Sequence, residues 1–172
     1  MADTKKYLLT SLVLGLIACG GALLIATTNM FTKGAIAKNE ENKINSGIAN
    51  IFGDGAKVTT IETIDDSAYT YVNTRYILDN DLGYAFRTDG FNSYGKISLI
   101  IGFDTSYAYQ GLSVITNEQS FATTLNKNYL SVIKDGDDTK IDDVSCGATY
   151  GAKLVREMIN EAQKAAKDLA GE

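Results

Sequence analysis

The most constraining feature of this chain is a run of 26 residues without a charge, Tyr7 to Thr32, "YLLTSLVLGLIACGGALLIATTNMFT", bracketed by Lys5-Lys6 and Lys33. About 20 apolar residues in helical conformation cross the hydrocarbon core of a bilayer, so the run is long enough to span one. A cleaved signal sequence has an apolar stretch of only about 7–15 residues. Leu16-Ile17-Ala18-Cys19 has the look of a lipobox. The apolar run continues past Cys19 to Phe31, however, where a lipoprotein turns polar, and a retained anchor is the better reading. Lysines flank both ends of the run, so charge alone does not orient it. Because long domains are translocated largely regardless of charge, the expected arrangement is N-terminus cytoplasmic and C-terminal domain extracytoplasmic. Gly15, Cys19, Ala22 and Ala26 form a small-residue stripe that admits a second membrane helix, though Gly and Ala are common in such helices anyway.

What the chain lacks narrows its chemistry. It contains no His and no Pro and only two Cys, Cys19 and Cys146. Without His there is no Ser-His or Cys-His nucleophile and no imidazole base or metal ligand. Two cysteines, one of them in the membrane run, can build neither a thiolate zinc site nor an iron–sulfur cluster, and they cannot pair. No metal site is expected. The Asp137-Asp138 and Asp142-Asp143 pairs lack the spacing of an EF-hand loop and read as solvated turns. A net charge of -5 with no basic cluster excludes nucleic acid as a partner. Redox or group-transfer chemistry would require an imported cofactor.

Beyond the anchor, Ile36, Ile44, Ile48, Ile51 and Phe52 recur at loose helical spacing among charges, which suggests a surface helix. Four β-branched and aromatic stretches follow: "KVTTIETI", "YTYVNTRYIL", "LGYAFRT" and "GKISLIIGFDTSYAYQGLSVIT". The last reads as two strands around a turn near Asp104-Thr105-Ser106, with Ile97, Leu99 and Ile101 on one buried face. A short helix is expected near Phe121–Tyr129. Val155, Met158, Ile159, Ala162, Ala166 and Leu169 make Tyr150 to Leu169 an amphipathic helix. The fold class is α+β: one membrane helix, then a mostly antiparallel sheet with helices. Most of the ten tyrosines are expected to pack on strand faces with their hydroxyls at the rim.

The segment Asp143-Val144-Ser145-Cys146-Gly147-Ala148-Thr149-Tyr150-Gly151 opens that last helix. A helix start presents unpaired N–H groups and the positive end of the macrodipole, which together seat a phosphate. The plain alternative makes Thr149 an ordinary first-turn residue, with Ser145 or a neighbour as the cap.

This segment resembles the motif Asp-x-x-(Ser/Thr)-Gly-Ala-Thr of the FMN-binding domain shared by the G subunit of Rnf complexes and the C subunit of sodium-pumping NADH:quinone reductases. "NMFTKGAIAKNEE" is similar to that family's exit from its anchor, and "LGYAFRTDGFNSYGKISLIIGFD" to its Gly-Tyr, glycine turn and following strand. The features cover nearly the whole chain in the family's order. Three features differ: Cys146 replaces the usual Ser or Thr, Gly151 stands where a hydroxyl residue often follows, and the family's His-x-Glu-Thr-Pro-Gly loop is reduced to "TNEQSFA", which keeps Glu118.

The resemblance implies residues 1–33 as membrane anchor, 34–52 as juxtamembrane helix or linker, and 53–172 as FMN-binding domain. It implies FMN covalently bound as a phosphoester on Thr149. Gly147 and Ala148 would be the small residues at the attachment site, Cys146 the substituted motif position, Asp143 the leading acid, and Tyr150 and Glu118 the flanks of the ring. The partners implied are the other membrane subunits of an Rnf-type complex, a flavin transferase and the lipid bilayer. The function implied is electron transfer within an ion-translocating ferredoxin:NAD oxidoreductase, as a carrier subunit and not an independent catalyst. Physical chemistry agrees on two points. A Thr hydroxyl with no base beside it needs a separate enzyme to react. A noncovalent site of about 1 μM affinity, about 8 kcal/mol, would also lose its flavin by dilution. Two other readings share these residues: a stand-alone flavinylated carrier, and an anchored binding module without redox chemistry.

Overall fold

A computed structural model describes residues 2–65 and 67–170. The first element is α1 (Ala2–Phe52), followed by a five-stranded sheet, β1 (Val58–Thr63), β2 (Val72–Leu78), β3 (Tyr84–Asn92), β4 (Gly95–Phe103) and β5 (Tyr109–Asn117). Three short helical pieces come next: α2 (Ala122–Leu125), a π turn (Asn126–Leu130) and α3 (Ser131–Ile133). A 3-10 turn (Asp138–Lys140) and the long α4 (Thr149–Asp168) complete the chain. The chain divides into two units, 1–42 and 43–172.

The first unit is helix. It carries the one stretch among the described residues long and apolar enough to cross a membrane, and none of its apolar window is buried within the protein. Thr10, Thr27, Thr28 and Thr32 each donate a hydroxyl hydrogen bond to a carbonyl one turn earlier. Polar side chains in such a helix thereby satisfy themselves on the helix's own backbone.

In the second unit the strands run β1-β2-β3-β4-β5, every neighbour antiparallel, as successive hairpins. The five expected strands all form, and the expected turn at Asp104 is closed by its carboxylate. That group accepts from Ser106 N–H at 2.8 Å and Ala108 N–H at 3.0 Å. β4 is the most buried strand, covered from Ile97 to Phe103.

Each sheet face has its own core. On one, Phe86, Leu99 and Ile101 pack with Val155, Met158, Ile159 and Ala162 of α4. Gly90 lets α4 approach, because a Cβ there would lie 2.7 Å from Met158 Sδ. On the other face, Ile44 and Ile48 bury against Tyr76, Ala85, Ile100 and Ile115. The segment expected as a surface helix is thus corrected: its last turns form half of a core. The charges between its apolar positions face outward and disguise that role. α4 begins and ends within a residue of the sequence expectation, as its apolar spacing dictates.

Candidate functional site

The start of α4 is bare. Ala148 is its N-cap residue and makes no side-chain cap hydrogen bond. The first intrahelical bond runs from Ala152 N–H to Ala148 C=O. The N–H groups of Thr149, Tyr150 and Gly151 therefore have no partner within the helix. Ser145 does not serve as the cap, so the plain alternative for this segment loses its capping residue. Gly147 holds φ +82°, a left-handed turn that aims the chain into the helix.

These residues form one wall of a cleft of about 260 Å³. Opposite Gly147 to Gly151 stand Tyr94, Gln119, Phe121 and Leu125, and no lining residue carries a charge. Thr149 is exposed, whereas Ala148 is buried beneath it. The Tyr94 and Tyr150 rings stack at 5.3 Å and 24°, and Phe121 lies 6.3 Å from Tyr94. All three stay open to solvent, at 38%, 64% and 55% exposure for Tyr94, Tyr150 and Phe121. Exposed large aromatics gathered at one place mark a binding surface more often than a packing accident.

Three segments are laced together to make this wall. Asn92 at the end of β3 donates to Tyr150 C=O (3.3 Å) and accepts from Tyr94 N–H (2.9 Å). Ser120 N–H donates to Tyr94 C=O at 2.7 Å. Gly95 holds φ +129°, and a Cβ there would lie 2.2 Å from Glu118 C=O, so only glycine lets the β3–β4 turn reach the segment after β5. Gly151 likewise admits Leu125, whose Cδ2 would be 2.9 Å from an added Cβ.

The expected site residues separate into two groups. Gly147, Ala148, Thr149 and Tyr150 meet at the cleft. Cys146 does not line it. Its half-buried side chain packs on the α4-side core, and its carbonyl accepts from Asn128 Nδ2 at 3.0 Å. Glu118 is exposed and also lies off the cleft, with its N–H donating to Lys96 C=O. Its successors Gln119 and Phe121 line the cleft instead. Asp143 is exposed, with its N–H bonded to Lys140 C=O. Sequence reading missed Tyr94, Gln119, Phe121 and Leu125 as site residues. The available signal was the Tyr94-Gly95 pair at a hairpin tip.

Residues 1–51 match the family model described as the RnfG N-terminal region. The N-terminal region of the chain is of the RnfG type. That likeness points to an Rnf electron-transport complex, and the first helix is long and apolar enough to anchor the chain in a membrane. The RnfG match ends before the residues that form the cleft. No curated protein and no solved structure matches the chain.

Proposed function

We propose that this RnfG-type chain is the flavin-carrying electron-transfer subunit of its complex, with FMN joined through its phosphate to the Thr149 hydroxyl. The observation that supports this reading best is the exposed Thr149 at an uncapped helix start, on the rim of an aromatic, uncharged cleft. The residues fit the group. A phosphodiester at the first turn would meet the free N–H groups and the helix dipole, worth about 0.3–1 kcal/mol at an exposed site. Tyr94, Tyr150 and Phe121 offer faces for a flat tricyclic ring. The bound flavin would supply electron transfer, which no side chain of this protein supplies.

The chain's part in loading is that of an acceptor. In the transfer, Thr149 Oγ forms a bond to the FMN phosphorus of FAD, and the bond from that phosphorus to the bridging oxygen breaks. AMP leaves, and a flavin transferase takes the hydroxyl proton. With no His in the chain and no charged side chain lining the cleft, the base is expected to come from that enzyme. The small Gly147 and Ala148 leave the hydroxyl approachable, and the exposure of Thr149 suits attack on a second protein's bound FAD.

Within the complex, the carrier is proposed to pass electrons in an ion-coupled ferredoxin:NAD reaction, with residues 53–172 outside the cytoplasm. The test is in-gel flavin fluorescence of the denatured protein, produced in cells with an active flavin transferase. The native chain is expected to fluoresce and Thr149→Ala to be dark. A dark native band would overturn the reading.

A further inference from the structure

One polar side chain at the cleft has no task in the structure beyond its own anchoring. Gln119 is 6% exposed, and its Nε2 donates to Gly95 C=O. That bond fixes which way the amide faces, since the reverse orientation would set two carbonyl oxygens against each other. Its backbone is held as well, by Gln119 N–H donating to Asn117 Oδ1 at 3.1 Å. Asn117 is held in turn through its Nδ2 bond to Asn126 Oδ1 at 2.8 Å. The carbonyl Oε1 is left as a fixed acceptor beside the helix start, 3.4 Å from where a Cβ on Gly151 would stand. The oxygen opens onto the cleft with no donor from the described residues, and its rigid support suits an acceptor positioned for a ligand.

We propose that Gln119 is the residue that reads the edge of the bound ring: its Oε1 accepts a hydrogen bond from a ring N–H. This inference rests on the flavin reading above. The aromatic faces of Tyr94, Tyr150 and Phe121 accept any flat ring, because stacking has no directional donor requirement. A single acceptor with its amide N–H already committed adds that requirement, favouring a ring edge with a donor over one with acceptors only. A flavin offers N3–H in both redox states and N5–H only when reduced. Gln119 therefore serves either to hold the ring in place throughout or to favour its reduced form.

The experiment is 15N NMR of protein loaded with 15N-labelled flavin, oxidised and reduced, for native, Gln119→Met and Gln119→Asn chains, with intact mass as the check on loading. Gln119→Met removes the acceptor at similar volume. Gln119→Asn withdraws it by one methylene while keeping an amide, and it covers the case where the first variant misfolds. With loading retained, a displaced N3 signal in both redox states places the bond at N3–H. Displacement of N5 in the reduced state alone places it at N5–H. Either result, with N10 unmoved, supports the assignment. Fully loaded variants whose N3 and N5 signals match the native protein, or in which all ring nitrogens move together, would overturn it. A native chain without flavin mass would instead sink the reading beneath it.

Discussion

Gly151 follows Thr149 by two positions, and its missing side chain is what brings Leu125 and Gln119 against the first turn of α4. Gly95 does the same for the β3–β4 turn, in a backbone conformation that L residues rarely adopt. The two glycines differ in what would oppose a side chain. At Gly151 it is a leucine methyl that can shift. At Gly95 it is a backbone carbonyl that cannot. Gly151→Ser is therefore expected to cost about 1 kcal/mol, in the range for overpacked cores. Gly95→Ala should cost more, about 2–3 kcal/mol, because strain adds to the clash. Thermal melts of the detergent-solubilised protein check this, each kcal/mol lowering the midpoint by about 4 °C. A larger loss for Gly151→Ser than for Gly95→Ala would contradict the packing described. The motif residues Gly147 to Tyr150 were legible in the sequence because they are contiguous and open a strongly periodic helix. Tyr94, Gln119 and Phe121 were not, since hairpin geometry brings them in from distant positions. The resemblance to the family's loop pointed to Glu118, whose exposed side chain lies off the cleft, whereas its neighbour Gln119 lines it.

At the scale of elements, α4 and β2 are joined through a carboxylate. Glu161 Oε1 accepts from Tyr71 N–H at 2.5 Å and from Val72 N–H at 3.1 Å. Glu161→Ala would leave two part-buried donors unmatched and is expected to destabilise by about 1–3 kcal/mol. Equilibrium denaturation measures this, and an unchanged midpoint would show that water replaces the carboxylate without loss. Asp89 on β3 joins β2 and β4 in a similar way, accepting from Asn73 (2.6 Å) and Ser98 and pairing with Arg87 (3.3 Å) and Lys96 (3.2 Å). Burial pushes its carboxyl up. The hydrogen bonds from Ser98, Asn73 and Lys96, with the charge of Arg87, outweigh burial and hold it below its ordinary value of 3.8. The unfolded chain takes up this proton first as pH falls. Stability from Asp89 is therefore complete well above pH 3.8 and is lost as pH falls through the lower folded value. Asp89→Asn should flatten the acid limb of a stability-against-pH profile below about pH 4 while lowering the plateau above it. An acid limb as steep as the native one would contradict this. The strands were legible because β-branched and aromatic runs alternate with Gly, Asp and Asn turns. The end of α1 was not: its apolar positions are sparse, and only the opposite face of the sheet reveals that Ile44 and Ile48 have partners.

For the whole molecule, the membrane helix and the cleft make separate demands. Retention in membranes after alkaline carbonate extraction is the expected behaviour of a chain anchored by residues 7–32. Release with the soluble fraction would contradict the anchor. The proposed extracytoplasmic placement of residues 53–172 is checked by protease added to spheroplasts, which should degrade the domain without lysis; a protected domain would contradict it. One hydroxyl, that of Thr149, is proposed to carry the flavin. Cleavage after Lys140 and Lys153 gives a peptide, residues 141–153, that also contains the hydroxyls of Ser145 and Tyr150. Fragmentation of that peptide by mass spectrometry locates the added group directly. The expected result is the mass of FMN less water on Thr149 alone. The same mass on Ser145 or Tyr150, or a peptide with no added mass from cells that flavinylate other proteins, would contradict it.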